Sequence, residues 1–139
     1  MHKKNLFPWV AAMCLAAATS HVSAADLGDV CWLMDNSDLL RLSVTQTSNT
    51  TFTYTGLFNE TGVAYAVIGH VALAGSVYVG TFSGSRTSVD KFKTGIFQLT
   101  LDPATLSGTA EGIRQSYDRA TQLVNTDYRT RTLTKVACP

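Results

Sequence analysis

An alternation of apolar and polar side chains runs through residues 39–46, LLRLSVTQ, and resumes through residues 51–58, TFTYTGLF. In the first run Leu40, Leu42 and Val44 share one face, and in the second the aromatic residues share one face. Successive side chains of a β-strand point to opposite faces, so this period of two predicts two half-buried strands. The polar residues 47–50 between them predict a hairpin.

Similar segments continue to the C-terminus. Apolar runs at 63–74 and 77–83 are followed by alternating segments at 92–101 and 106–113, and residues 127–137 close the chain. Turns rich in Gly, Asn, Asp, Ser or Pro separate them. With a first strand around the only tryptophan outside the N-terminal leader, the sequence predicts an all-β domain built as an antiparallel meander of about eight short strands.

So small a sheet must protect its edge strands, either by closing into a barrel or by folding into a sandwich. Three glycines stand two residues before a phenylalanine, in GLF at 56–58, GTF at 80–82 and GIF at 95–97. Glycine lets a strand bend, and a neighbouring ring covers the gap. The sequence therefore favours a closed barrel over residues 26–139. This architecture is similar to that of lipocalins and avidins, although the chain carries no diagnostic motif of either family.

One segment near the C-terminus is ambiguous. Residues 113–124, IRQSYDRATQLV, place Ile113, Tyr117, Ala120 and Val124 at helical spacing. A short helix is therefore an alternative to strand here.

The N-terminus has the composition of a secretory signal peptide. Basic residues at the start precede a mostly apolar stretch over 6–18, and small residues at 22–25 offer a cleavage site. The apolar stretch is shorter than the roughly 20 residues that a membrane-spanning helix needs, and Cys14 follows Met13 rather than the small residue expected at a lipid-attachment site. We therefore expect residues 1–25 to be cleaved, leaving a secreted or periplasmic protein with no membrane anchor.

Cleavage also leaves two cysteines, Cys31 and Cys138, at opposite ends of the domain. In an oxidising compartment such a pair is expected to form a disulfide. Two cysteines with one histidine cannot complete a closed structural zinc site, so no metal site is predicted.

Charge and catalytic motifs exclude several function classes. Removing Lys3 and Lys4 from the 11 Lys+Arg leaves nine basic against ten acidic residues, with no block of like charge, so neither nucleic acid nor an anionic membrane is an expected partner. His70 is then the only histidine, and the chain has no G-x-S-x-G or phosphate-cradling motif. We predict no catalytic residues and no cofactor.

With these classes excluded, the expected function is the binding of a ligand or a partner. Extending the inward face of the predicted barrel gives an apolar lumen with a few hydroxyl groups, which is the usual composition of a small-molecule site. In that face assignment Arg129 and Arg131 point outward. The predicted ligand contacts are Trp32, Tyr54, Tyr78, Phe97, Thr130 and Thr132. The function predicted is that of a non-enzymatic barrel that binds a small, partly apolar molecule. The alternative is an interaction module that docks a secreted protein partner on its outer face or loops, as expected if the lumen is filled by its own side chains.

Overall fold

The strand order follows the sequence. The computed structural model describes residues 24–88 and 91–139, and no helix occurs within these ranges. Most of the predicted signal peptide lies outside the described residues. The strands are β1 Ala25–Met34, β2 Asp38–Gln46, β3 Thr51–Glu60, β4 Val63–Ala74, β5 Val77–Thr87, β6 Lys91–Leu101, β7 Gly108–Asp118 and β8 Leu123–Val136.

Each strand pairs antiparallel with the next one along the chain, and β1 also pairs with β8. The hydrogen-bonded ladder therefore closes into a ring of strands. The predicted all-β antiparallel meander of about eight strands is confirmed.

The seam between β1 and β8 is the shortest in the ring, because the two strands meet only over Cys31–Met34 and Leu133–Val136. The predicted disulfide lies beside this seam: Cys31 is bonded to Cys138, with their Cα atoms 5.1 Å apart. The bridge thus fastens the ring where its ladder is weakest.

Of the two alternatives for residues 113–124, the structure has strand and not a short helix. Residues up to Asp118 belong to β7, which pairs with both β6 and β8, and β8 begins at Leu123. The Asp118 carboxylate accepts hydrogen bonds from the backbone N–H groups of Ala120 and Thr121, which stabilises the turn between the two strands. Pairing on both sides outweighs the local helical spacing of the apolar residues.

The core lies inside the ring, and glycines leave room in its wall for aromatic rings and for the backbone of neighbouring strands. A Cβ atom added to Gly95 would lie 2.6 Å from the ring of Phe97, and one added to Gly69 would lie 2.6 Å from the ring of Tyr54. An aromatic ring therefore covers each of these glycines, as predicted for the GIF segment. At Gly56 and Gly80 the close neighbours are backbone atoms of the adjacent strand, and the atom nearest to a Cβ at Gly69 is likewise a backbone oxygen, that of Thr81.

The ring has two chemically different ends. The apolar end carries the loops 47–50, 75–76 and 102–107, and apolar side chains line the interior beneath them. The polar end carries the loops 35–37, 61–62 and 119–122, and charged side chains enter the interior there. The buried core of aliphatic and aromatic residues lies between the two ends.

Candidate ligand cavity and charged cluster

A cavity of about 200 Å³ lies inside the ring at the apolar end. Three of the predicted ligand contacts, Trp32, Tyr54 and Tyr78, line it. Each of these residues lies on the inner face of its strand. Aliphatic residues on the inner faces of the ring complete the wall of the cavity. They include Leu40, Leu42, Val44, Val71, Leu99 and Leu101.

The polar atoms of two predicted contacts are engaged within the protein. The indole N–H of Trp32 donates to the carbonyl oxygen of Leu106 at 2.6 Å, and the hydroxyl of Tyr54 donates to the carbonyl oxygen of Thr81 at the same distance. Burial raises the pKa of Tyr54 well above its usual range, so the phenol stays neutral at physiological pH. A molecule in the cavity meets the faces of these rings, while their hydrogen-bonding atoms belong to the wall.

The mouth of the cavity is partly covered by apolar side chains. A register shift in β1 between Asp26 and Gly28 marks a bulge at Leu27, whose side chain lines the mouth. Opposite it, Leu106 adopts a φ of +56°, which is uncommon for a residue with a Cβ atom. The indole N–H of Trp32 donates a hydrogen bond to the carbonyl oxygen of Leu106. The loop 102–107 is thereby tied to the cavity wall.

Phe97 lies inside the ring but outside this cavity. Its ring stacks on that of Phe82 with the centroids 4.9 Å apart, and both line a smaller space of about 40 Å³ towards the polar end. The structure thus separates Phe97 from the other three aromatic residues of the predicted site.

The predicted inward orientation of Thr130 and Thr132 is wrong. Both side chains are exposed on the outer face of β8, whereas Arg129 and Arg131 line the interior at the polar end. Leu133 follows on the same inner face and is buried. The inner face of β8 is set by burying Leu133 and by neutralising the two arginines.

Glu60 is the centre of a charged cluster at the polar end. Its carboxylate accepts hydrogen bonds from Arg131 at 2.9 Å, from Arg114 at 3.3 Å and from the hydroxyl of Tyr65 at 3.0 Å. The guanidinium of Arg129 lies 3.9 Å away. Glu60 and Arg131 are shielded from water, with side chains only 17% and 14% exposed.

Two further carboxylates neutralise the arginines from outside. Arg131 donates to Asp35 at 2.6 Å, and Asp127 accepts from both Arg129 and Arg114. Burial works against ionisation of Asp35, but hydrogen bonds from Arg131 and Thr132 outweigh it and hold the pKa of its carboxyl below the usual value. The hydrogen bond from Arg129 likewise lowers the pKa of Asp127. These acids are held as anions, which suits them to ion pairing rather than to proton donation.

One signal in the sequence identifies the inner face of β8. Leu133 is the one aliphatic residue of β8 between Val124 and Val136, and it lies on the same face as Asp127, Arg129 and Arg131. Assigning the strand by Leu133 rather than by Tyr128 places the arginines inside. The sequence does not indicate which acid lies at the centre of these arginines. Closure of the ring brings Glu60 there from the distant strand β3.

No family model, curated protein or solved structure matches this chain. Among the described residues, none forms a helix with the length and hydrophobicity needed to cross a membrane. Within residues 24–88 and 91–139, no three His, Cys, Asp or Glu side chains converge as metal ligands. The cavity and the surfaces of the ring are therefore the features from which a function can be inferred.

Proposed function

We propose that this protein is a non-enzymatic β-barrel that binds one small apolar molecule in the cavity at the apolar end. The observation that carries the proposal is a cavity of about 200 Å³ whose wall is built from aliphatic and aromatic side chains. An apolar ligand that enters such a cavity removes its own surface and that of the wall from water, which is the main driving force for binding.

The volume limits the size of the ligand. An engineered apolar cavity of about 150 Å³ in another protein stays dry and binds benzene. A cavity of about 200 Å³ is therefore suited to a molecule with one substituted aromatic ring or two fused rings. Because the polar tips of Trp32 and Tyr54 are bonded to backbone carbonyls, the site favours a molecule without a buried charge or hydrogen-bonding group.

Toluene and naphthalene are suitable probes, and isothermal titration calorimetry measures their binding directly. We expect one molecule to bind per cavity. Replacing Val44, which lines the cavity, with tryptophan fills much of the space and should weaken naphthalene binding at least tenfold. The matched control is Val79→Trp, because Val79 faces outward on β5 and does not line the cavity.

Urea unfolding curves verify that each variant is folded before binding is compared. Failure of the unaltered protein to bind either probe would refute the proposal. So would a folded Val44→Trp variant that binds naphthalene as tightly as the Val79→Trp control.

We also propose that the protein acts outside the cytoplasm, in the periplasm or the extracellular space. The disulfide between Cys31 and Cys138 supports this location, because such bonds persist in oxidising compartments. The signal-peptide composition of residues 1–25 supports it independently.

A further inference from the structure

An outward-facing row of mostly apolar side chains crosses five neighbouring strands of the ring. Its members are successive cross-strand partners in the observed register, so they lie side by side. We call this set the apolar row; from β4 to β8 it comprises Ile68, Ser83, Ile96, Ile113 and Tyr128. Ile96 is 60% exposed, Ile113 46% and Tyr128 65%. Adjacent exposed side chains of this size form a continuous patch rather than scattered surface residues.

The surface around the apolar row carries almost no charge. Threonine, serine, valine, glutamine and aromatic residues occupy most outward positions on the described parts of β5–β8, and Glu111 is the one charged residue among them. Its carboxylate accepts a hydrogen bond from the hydroxyl of Tyr128 at 2.8 Å. The surface of a soluble domain is ordinarily about one-quarter to one-third charged. This face therefore departs from the composition expected of a surface in water.

Charged residues of this protein are concentrated elsewhere. Glu60 and its arginines occupy the interior at the polar end, and the pair formed by Asp29 and Arg41 lies on the opposite side of the ring, on β1 and β2. The outward positions of β3 and β4 also carry no Asp, Glu, Lys or Arg, so the uncharged surface extends from β3 to β8, and the apolar row distinguishes its β4–β8 part. A strongly charged partner would find no complementary charges there.

We propose that a second copy of this chain packs against the outer face of β5–β8, with the part of the apolar row from Ser83 to Tyr128 across the centre of the interface. In a two-fold dimer the same patch is contributed by both copies, so an uncharged patch meets an uncharged patch. Ile96 and Ile113 are adjacent at its middle and pack against their counterparts. The threonines on either side form a rim that tolerates water.

The size of the face agrees with this partner. Four strands spaced about 4.8 Å apart, with about five outward residues along each, cover about 19 by 33 Å. That is a footprint of roughly 630 Å² per copy and about 1,300 Å² for two copies, which is comparable with the lower end of the range of about 1,200–2,000 Å² that stable interfaces bury. The cavity opens at the end of the ring rather than on this face, so ligand binding and pairing are independent.

The mass of the exported chain in solution tests the proposal. Light scattering after size-exclusion chromatography is expected to give the mass of two chains. Ile96→Lys and Ile113→Lys should each give the mass of one chain, because the substitution places a charge at the centre of an apolar contact. The matched control is Leu57→Lys: Leu57 is 51% exposed on β3, outside this face, and its substitution should leave the dimer intact.

A milder variant separates loss of pairing from loss of folding. Ile113→Thr keeps a β-branched side chain and matches the neighbouring threonines, so the strand should persist while the dimer weakens at least tenfold. A single-chain mass for the unaltered protein would overturn the proposal, as would a dimer that the Ile96 and Ile113 variants leave unchanged. A single chain that floats with neutral phosphatidylcholine vesicles would also overturn it, because the occupant of the face would then be lipid.

Discussion

Replacing Glu60 with glutamine removes one negative charge from the charged cluster without changing the size of the side chain. Arg131, Arg114 and Arg129 would then be left with less neutralising charge, although Asp35 and Asp127 still pair with them. Removing one partner of a buried ion pair costs about 3–5 kcal/mol, whereas an exposed pair contributes about 0.2–1 kcal/mol.

The observed exposure sets the expected magnitude between these limits. Side-chain exposure is 17% for Glu60, 14% for Arg131 and 32% for Arg129, so water still screens part of the interaction. We expect Glu60→Gln to lower the free energy of unfolding by about 2–3 kcal/mol. At about 4 °C per kcal/mol for a domain of this size, the midpoint of thermal unfolding should fall by roughly 8–12 °C.

Urea unfolding followed by Trp32 fluorescence measures this change. Glu111→Gln is the matched control, since Glu111 lies on the outer face and accepts a hydrogen bond from Tyr128; its effect should stay within about 0.5 kcal/mol. Adding Arg131→Met to Glu60→Gln should recover part of the loss, because it removes an undercompensated cation. If Glu60→Gln costs no more than Glu111→Gln, the cluster does not stabilise the fold as argued.

The remaining predictions concern the disulfide and acid stability. In protein taken from its native compartment both Cys31 and Cys138 should be blocked in non-reducing mass spectrometry. Replacing both with serine should cost about 4 kcal/mol in urea unfolding, because the bridge closes a loop with a sequence separation of 107; free thiols in the native protein would contradict this. Asp35 and Asp127 have lowered pKa values in the folded protein, so their stabilising contribution is present above about pH 5 and is lost as the pH falls through those values. The urea midpoint should therefore fall between pH 6 and pH 3, and less steeply in Arg131→Met; equal slopes would argue against the pairing of Asp35.

The strands and the disulfide follow from local features of the sequence. Alternation through residues 39–46 and 51–58 predicts strands because burying one face of an extended chain requires a period of two. The disulfide follows from the two cysteines that remain once the predicted signal peptide is set aside. Trp32, Tyr54 and Tyr78 lie on inner faces that the same alternation indicates.

Other features depend on contacts between strands that are distant in the sequence. Arginines and threonines occupy alternate positions in β8, so among the residues of its central part only Leu133 indicates which face is inside. Arg129 and Arg131 enter the interior because closure of the ring brings Glu60 of β3 near them, and an ion pair makes the burial of an arginine tolerable.

Residues 113–118 form a strand rather than a helix for a similar reason. Strands on both sides of β7 satisfy the hydrogen-bonding groups of its backbone. The cavity itself is also a tertiary property. Alternation predicts which side chains point inward, but the space left between Leu42, Tyr54 and Leu101 depends on how those side chains pack across the closed ring.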